Sequence, residues 1–110
     1  MVEVREYLDR GGRSLYAAWF ERLSSEAAAK VSAALARIQQ GNFSNAKGVG
    51  AGVYEYRIDF GPGYRIYFGK DGERLVILVG GGTKKRQQED INTALARWQE
   101  YKQRKRQEGD

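Results

Sequence analysis

The chain has 110 residues, with 19 Lys and Arg against 14 Asp and Glu, and neither cysteine nor histidine. That length suits one domain, 1–110, with one modest core. The missing thiols and imidazoles exclude disulfides, thiolate metal sites and histidine-based acid–base catalysis, and nothing in the pattern calls for a cofactor or a metal. A formal charge of +5 favours a polyanionic partner, nucleic acid or an acidic protein, while the apolar runs are too short for a membrane span or a signal core.

Val2 to Tyr7 alternates apolar and charged residues and reads as a strand, broken by Gly11-Gly12. Ser14 is placed to cap a helix from Leu15 to about Leu23, with Leu15, Trp19 and Leu23 facing the core. Ser24-Ser25 allows a second cap, for a helix from Glu26 to Gln40 stopped by Gly41. Two helices joined so closely predict an antiparallel hairpin. Residues 41–52 contain Gly41, Gly48, Gly50 and Gly52 and read as a flexible loop; since it leads into a strand and not into a helix N-terminus, it does not fit a phosphate cradle.

Strands are expected at 53–60 and 64–69, folded about Gly61-Pro62-Gly63, and a third at Leu75 to Val79 after an Asp71-Gly72 turn. The third is apolar throughout, which predicts a central strand covered on both faces. Gly80-Gly81-Gly82 is expected to end the sheet. A last helix runs from about Gln87 to Lys105, with Ile91, Ala94, Leu95 and Trp98 inward and a basic tail, about 102–110, that frays. The order β-α-α-β-β-β-α describes an α+β domain: an antiparallel sheet with an N-terminal helical hairpin and a C-terminal helix.

On the strand at 53–60, Tyr54, Tyr56, Ile58 and Phe60 share the core parity, and Glu55, Arg57 and Asp59 share the other. Arg65 and Tyr67 share one parity on the return strand, and Lys84, Lys85 and Arg86 follow the central strand. Cations with interleaved aromatics suit RNA, since Arg and Lys grip phosphate and rings stack on unpaired bases. The same groups suit RNA cleavage by a 2′-OH: Arg57 and Arg65 stabilise the phosphorane charge, and Glu55 or Lys84 assists the proton transfer. Lys47, Tyr67, Lys85 and Arg86 are the expected RNA contacts. The plainer reading makes Glu55, Arg57 and Asp59 a solvated strand face, with Arg65 pairing to Asp59 across the turn.

The run Gly52 to Phe68, with its G-x-G-Y-R-x-Y segment, and the run Val76 to Ile91, with Gly-Gly-x-Lys-x-x-Gln-x-x-Asp-Ile, together resemble the RelE/ParE toxin superfamily, closest to its addiction module killer, or HigB-like, branch. The resemblance covers nearly the whole chain. It implies a RelE-like fold and the toxin of a bacterial type II toxin–antitoxin pair: a cytoplasmic endoribonuclease that cleaves mRNA on the ribosome without a metal. Its partner would be a cognate antitoxin, in this branch a helix-turn-helix protein. Alternatives in the same superfamily are a toxin that poisons DNA gyrase and a catalytically inactive, toxin-like protein-binding domain. Carried over by position, Arg65 matches the phosphate-stabilising arginine, Arg57 the basic residue of the preceding strand and Lys84 the late basic residue. Glu55 stands near a point where the pattern favours lysine, and Ile91 about where some relatives use tyrosine.

Overall fold

The computed structural model describes residues 1–108. It is an α+β domain built on one five-stranded sheet in the order β1-β5-β4-β3-β2. The strands are β1 (Glu3–Glu6), β2 (Ala46–Gly50), β3 (Val53–Ile58), β4 (Tyr64–Lys70) and β5 (Leu75–Thr83); the helices are α1 (Leu15–Glu21), α2 (Ser25–Gln39) and α3 (Gln87–Gln107). No helix among the described residues is long and apolar enough to cross a membrane.

Both N-terminal helices start where a serine caps them. The Ser14 and Ser24 hydroxyls accept from the Ala17 and Ala27 amides at 3.0 and 3.2 Å, which satisfies donors the helix leaves unpaired. Ala27, Val31, Ala34 and Ile38 then recur at helical spacing and are all buried against the sheet. Rather than packing mainly on each other, α1 sits over β5 and α2 over β3. The expected helical hairpin is therefore two separate seats on one sheet face.

The sheet departs from expectation in three ways. It is mixed and not antiparallel, because β1 runs parallel to β5 with Val4 opposite Val76. The segment read as a flexible loop holds edge strand β2, which pairs Lys47 with Glu55 and Gly48 with Tyr54. In this edge strand Ala46 and Val49 pack against the two cores, and the glycines between and after them leave no regular alternation to read. The β2–β3 connection, Gly50-Ala51-Gly52, has positive φ throughout, and Gly52 there faces the Trp98 ring.

Lastly, β5 continues through its three glycines to Thr83, with Gly80, Gly81 and Gly82 opposite Tyr67, Ile66 and Arg65. These glycines do not stop the strand, and Gly81 and Gly82 are clearances. A side chain at Gly81 would overlap the Trp19 ring of α1, and one at Gly82 would overlap Asp90 of α3.

The sheet is covered on both faces. Tyr16, Trp19, Val31, Ile38, Tyr56, Ile66 and Phe68 form the core under α1 and α2. Tyr7, Val53, Tyr67, Ile77, Val79, Ala94 and Trp98 form a second core under α3. The basic tail does not fray at 102. It stays helical to Gln107, with Arg104 donating to the Leu8 carbonyl at 2.8 Å and Lys105 paired with Asp71 at 2.6 Å; residues 109 and 110 lie outside the described residues.

Candidate nucleic-acid interface

The β3–β4 ladder sets the site. Arg57 lies directly opposite Arg65, and Glu55 opposite Tyr67, so all four side chains share the face that α3 covers. The helix shields only part of it. Beyond the start of α3 the sheet opens into a cleft of about 580 Å³, lined by Ser44, Lys47, Arg57, Asp59, Tyr64, Arg65 and Lys84 among others.

Four of the expected site cations, Lys47, Arg57, Arg65 and Lys84, thus meet in one cavity. They arrive from β2, β3, β4 and the 3-10 turn Lys84–Arg86 that joins β5 to α3. The Lys84 amide is fixed by the Gly63 carbonyl at 3.0 Å, which ties this turn to the tight turn before β4. Among the described residues, Asp59 is the one carboxylate lining the cleft.

Glu55 lies under this floor and is fully buried. Its Oε2 accepts from the Tyr67 hydroxyl at 3.0 Å and from Gln87 Nε2 at 2.9 Å, and its Oε1 from Arg57 Nε at 3.4 Å. Arg65 Nε stands 3.4 Å from Oε2, too poorly aligned for a hydrogen bond, so that attraction is electrostatic; Arg65 Nη1 donates to the Gly63 carbonyl at 3.2 Å. Burial by itself would raise the Glu55 carboxyl pKa. Hydrogen bonds from Gln87, Tyr67 and Arg57, with the Arg65 charge, outweigh it and hold the pKa below the usual carboxylate range. Conversely, burial and the Glu55 charge push the Tyr67 hydroxyl well above its ordinary value.

Several expectations change. Glu55 is neither on a solvated face nor free to take a proton from substrate; it is a buried anion that bonds Arg57 and attracts Arg65. Arg65 pairs with Glu55 and not with Asp59. Tyr67 is fully buried, so it offers no ring to a base. The accessible aromatics here are Tyr64, which lines the cleft, and Phe60, stacked beside it at 6.4 Å between ring centroids. Alternation alone had assigned Phe60 to the core. Lys85 and Arg86 are exposed on the 3-10 turn but do not line the cleft, and Arg86 is paired with Glu89 at 2.8 Å.

Chemically, the cleft offers two arginines of unequal freedom. Arg65 is locked, with its side chain 7% exposed, whereas Arg57 is 53% exposed. A phosphate entering there would meet one guanidinium already held in place, that of Arg65, beside the freer one of Arg57, and fixed positive charge of this kind stabilises developing negative charge.

Comparison with known proteins places the whole arrangement within shared sequence. The family described as Phage derived protein Gp49-like (DUF891) matches residues 18–99, a span that includes all four cleft cations. An uncharacterized protein of Haemophilus influenzae (strain ATCC 51907 / DSM 11121 / KW20 / Rd) is 44% identical over 77 residues, covering 69% of this chain and 78% of that protein.

Proposed function

The chain belongs to the Gp49-like family, within the RelE/ParE-like toxin superfamily of toxin–antitoxin systems, and from that membership we propose that it is a toxin that cleaves mRNA on the ribosome. The family implies an antitoxin partner. We place the chain in the HigB-like branch, with a helix-turn-helix antitoxin that acts by covering the cationic cleft.

The observation that carries the nuclease reading is the Arg57–Arg65 pair across β3 and β4, oriented from below by buried Glu55 and flanked by Lys47 and Lys84. In the proposed reaction the ribose 2′-oxygen attacks the adjacent phosphorus. The O2′–P bond forms, the P–O5′ bond breaks, and the products are a 2′,3′-cyclic phosphate and a 5′-hydroxyl. Arg57 and Arg65 hold the non-bridging oxygens as charge builds on the phosphorane. Asp59 takes the 2′-proton, and the Lys84 ammonium gives a proton to the departing 5′-oxygen. Glu55 is a positioning residue throughout.

Induced expression followed by mapping of mRNA 5′ ends tests this. The expected result is growth arrest with new 5′-hydroxyl ends at recurrent codon positions in translated transcripts, lost in the Arg57→Ala variant. Arrest with intact transcripts and broken DNA would select gyrase poisoning instead. Absence of arrest, with the antitoxin still bound, would select the non-catalytic reading.

A further inference from the structure

A second groove, of about 300 Å³, lies on the α2 side of the sheet. Lys30, Arg37, Tyr56 and Phe60 line it, and it shares Asn45, Arg57, Ile58 and Asp59 with the cationic cleft. The two cavities therefore meet over one edge of the sheet. The edge is open there because β2 begins only at Ala46, opposite Tyr56; the Arg57 amide still bonds the Asn45 carbonyl at 3.2 Å, and on that side no strand among the described residues flanks β3 beyond that point. Arg57 faces both cavities.

Lys30 and Arg37 project from one side of α2, two turns apart, and both are exposed. Neither forms an ion pair among the described residues, unlike Arg86, Arg104 and Lys105. Lys30 Nζ sits 5.3 Å from the centre of the Phe60 ring. Phe60 in turn stacks on Tyr64 of the first cleft, so an aromatic pair links the two cavities beside the row of cations. Unpaired cations continuing past a stacking platform are what a single strand requires: phosphates on the charges and bases on the rings.

We propose that the second groove is a phosphate subsite for the same RNA strand, with Lys30 and Arg37 holding backbone phosphates that flank the one at Arg57 and Arg65. This rests on the nuclease reading and adds a direction to it. The strand leaves the cleft over the β3 edge towards α2, not along α3.

Fluorescence anisotropy on the purified full chain tests the subsite. The probe is a labelled single-stranded RNA with 2′-O-methyl riboses, which lacks the attacking hydroxyl. The Lys30→Gln/Arg37→Gln variant should bind about tenfold more weakly at moderate salt, and its log–log salt slope should fall by about 1.4, two contacts at about 0.7 each. A Lys102→Gln/Arg106→Gln variant removes equal charge from the groove beside Trp98 and should leave the slope nearly unchanged. Lys30, Arg37 and Arg106 are exposed and Lys102 is half-buried, so circular dichroism melting should stay close to wild type.

If wild type fails to bind the free RNA, the subsite is overturned, while the nuclease reading is decided separately by the 5′-end mapping. If wild type binds and the Lys30/Arg37 variant keeps the full slope, the subsite alone is overturned. Equal losses in both variants would reduce the effect to bulk charge and overturn it too. So would a loss of antitoxin affinity with RNA binding intact, which would assign the groove to a protein partner.

Discussion

At Trp98, helix α3 rests on the sheet through apolar contact; at Gln87, it reaches the same sheet through hydrogen bonds. The Trp98 ring fills the space that a side chain at Gly69 would need, with Val53, Ile77 and Ala94 in the same cluster. At the other end Gln87 bonds Glu55, which also holds Tyr67, Arg57 and Arg65. The apolar end can relax if an atom moves, because dispersion and burial have no direction. The polar end cannot, because each bond fixes an angle and a buried carboxylate without partners is costly. One helix thus supplies stability at one end and orientation at the other. The arginines that face the cleft are held by the end that is expensive to build.

The sharpest way to break this contrast is at Arg65. Arg65→Ala leaves Glu55 buried beside a void and should cost about 3–5 kcal/mol of stability in urea unfolding. Its loss of activity would then report unfolding as much as chemistry. Replacing both partners, as Glu55→Leu/Arg65→Met, should recover part of that stability, short by the acceptor that the buried Tyr67 hydroxyl and Gln87 lose, and none of the activity. If the double variant stays as unstable as the single, the pair is not the source of the cost. Trp98→Ala should cost a comparable 3–5 kcal/mol from the opposite end. Below its melting transition it should keep wild-type activity per folded molecule and wild-type pH dependence.

The apolar end was legible in the sequence and the polar end was not. Ile91, Ala94, Leu95 and Trp98 announce their face by spacing, and β5, apolar through Leu75 to Val79, announces a strand covered on both sides. That second cover was the missed clue. If α3 lies over β5, the neighbouring strands on that face lie under it as well, and Glu55 cannot be solvated. Parity put Glu55 and Arg57 on one face correctly, but it carries no information about how far along the strand the cover extends. Strand β2 and the last part of β5 escaped for another reason. Their glycines are chosen for edge pairing and for clearance of Trp19 and Asp90, and those roles leave no hydrophobic period. Arg57, Arg65, Lys84 and Lys47 were singled out from residue type and position and line one cleft, whereas the burial of Glu55 and Tyr67 and the accessibility of Tyr64 and Phe60 required knowledge of depth.

Arg57 sharpens the comparison by separating orientation from stability. It is half-exposed and shares Glu55 with better-placed donors, so Arg57→Ala should change stability by less than about 1 kcal/mol. If the guanidinium stabilises the transition state, cleavage should fall about 10²- to 10³-fold. Single-turnover cleavage and urea unfolding on the same preparation check both halves. A variant that loses stability and activity in step would place Arg57 with the structural pair instead.

The smallest effect concerns protons. The Glu55 carboxyl pKa lies below its unfolded value, so its ionised form stabilises the fold. That contribution is complete above the ordinary carboxylate pKa and is lost as the pH falls through the depressed folded-state value. Wild type should therefore lose stability on acidification, in addition to the loss from its other depressed carboxyls, Asp9, Asp71 and Glu100. Glu55→Gln keeps the shape but weakens charge-assisted bonds, and should cost about 1–3 kcal/mol near neutrality. The gap between wild type and Glu55→Gln should then narrow as the pH drops, because protonation removes from wild type the charge that the variant already lacks. Urea midpoints taken from neutral to acidic pH measure that gap directly. A gap that stays constant would mean that Glu55 holds its arginines without being ionised, and the polar end of α3 would then be packed like the apolar one.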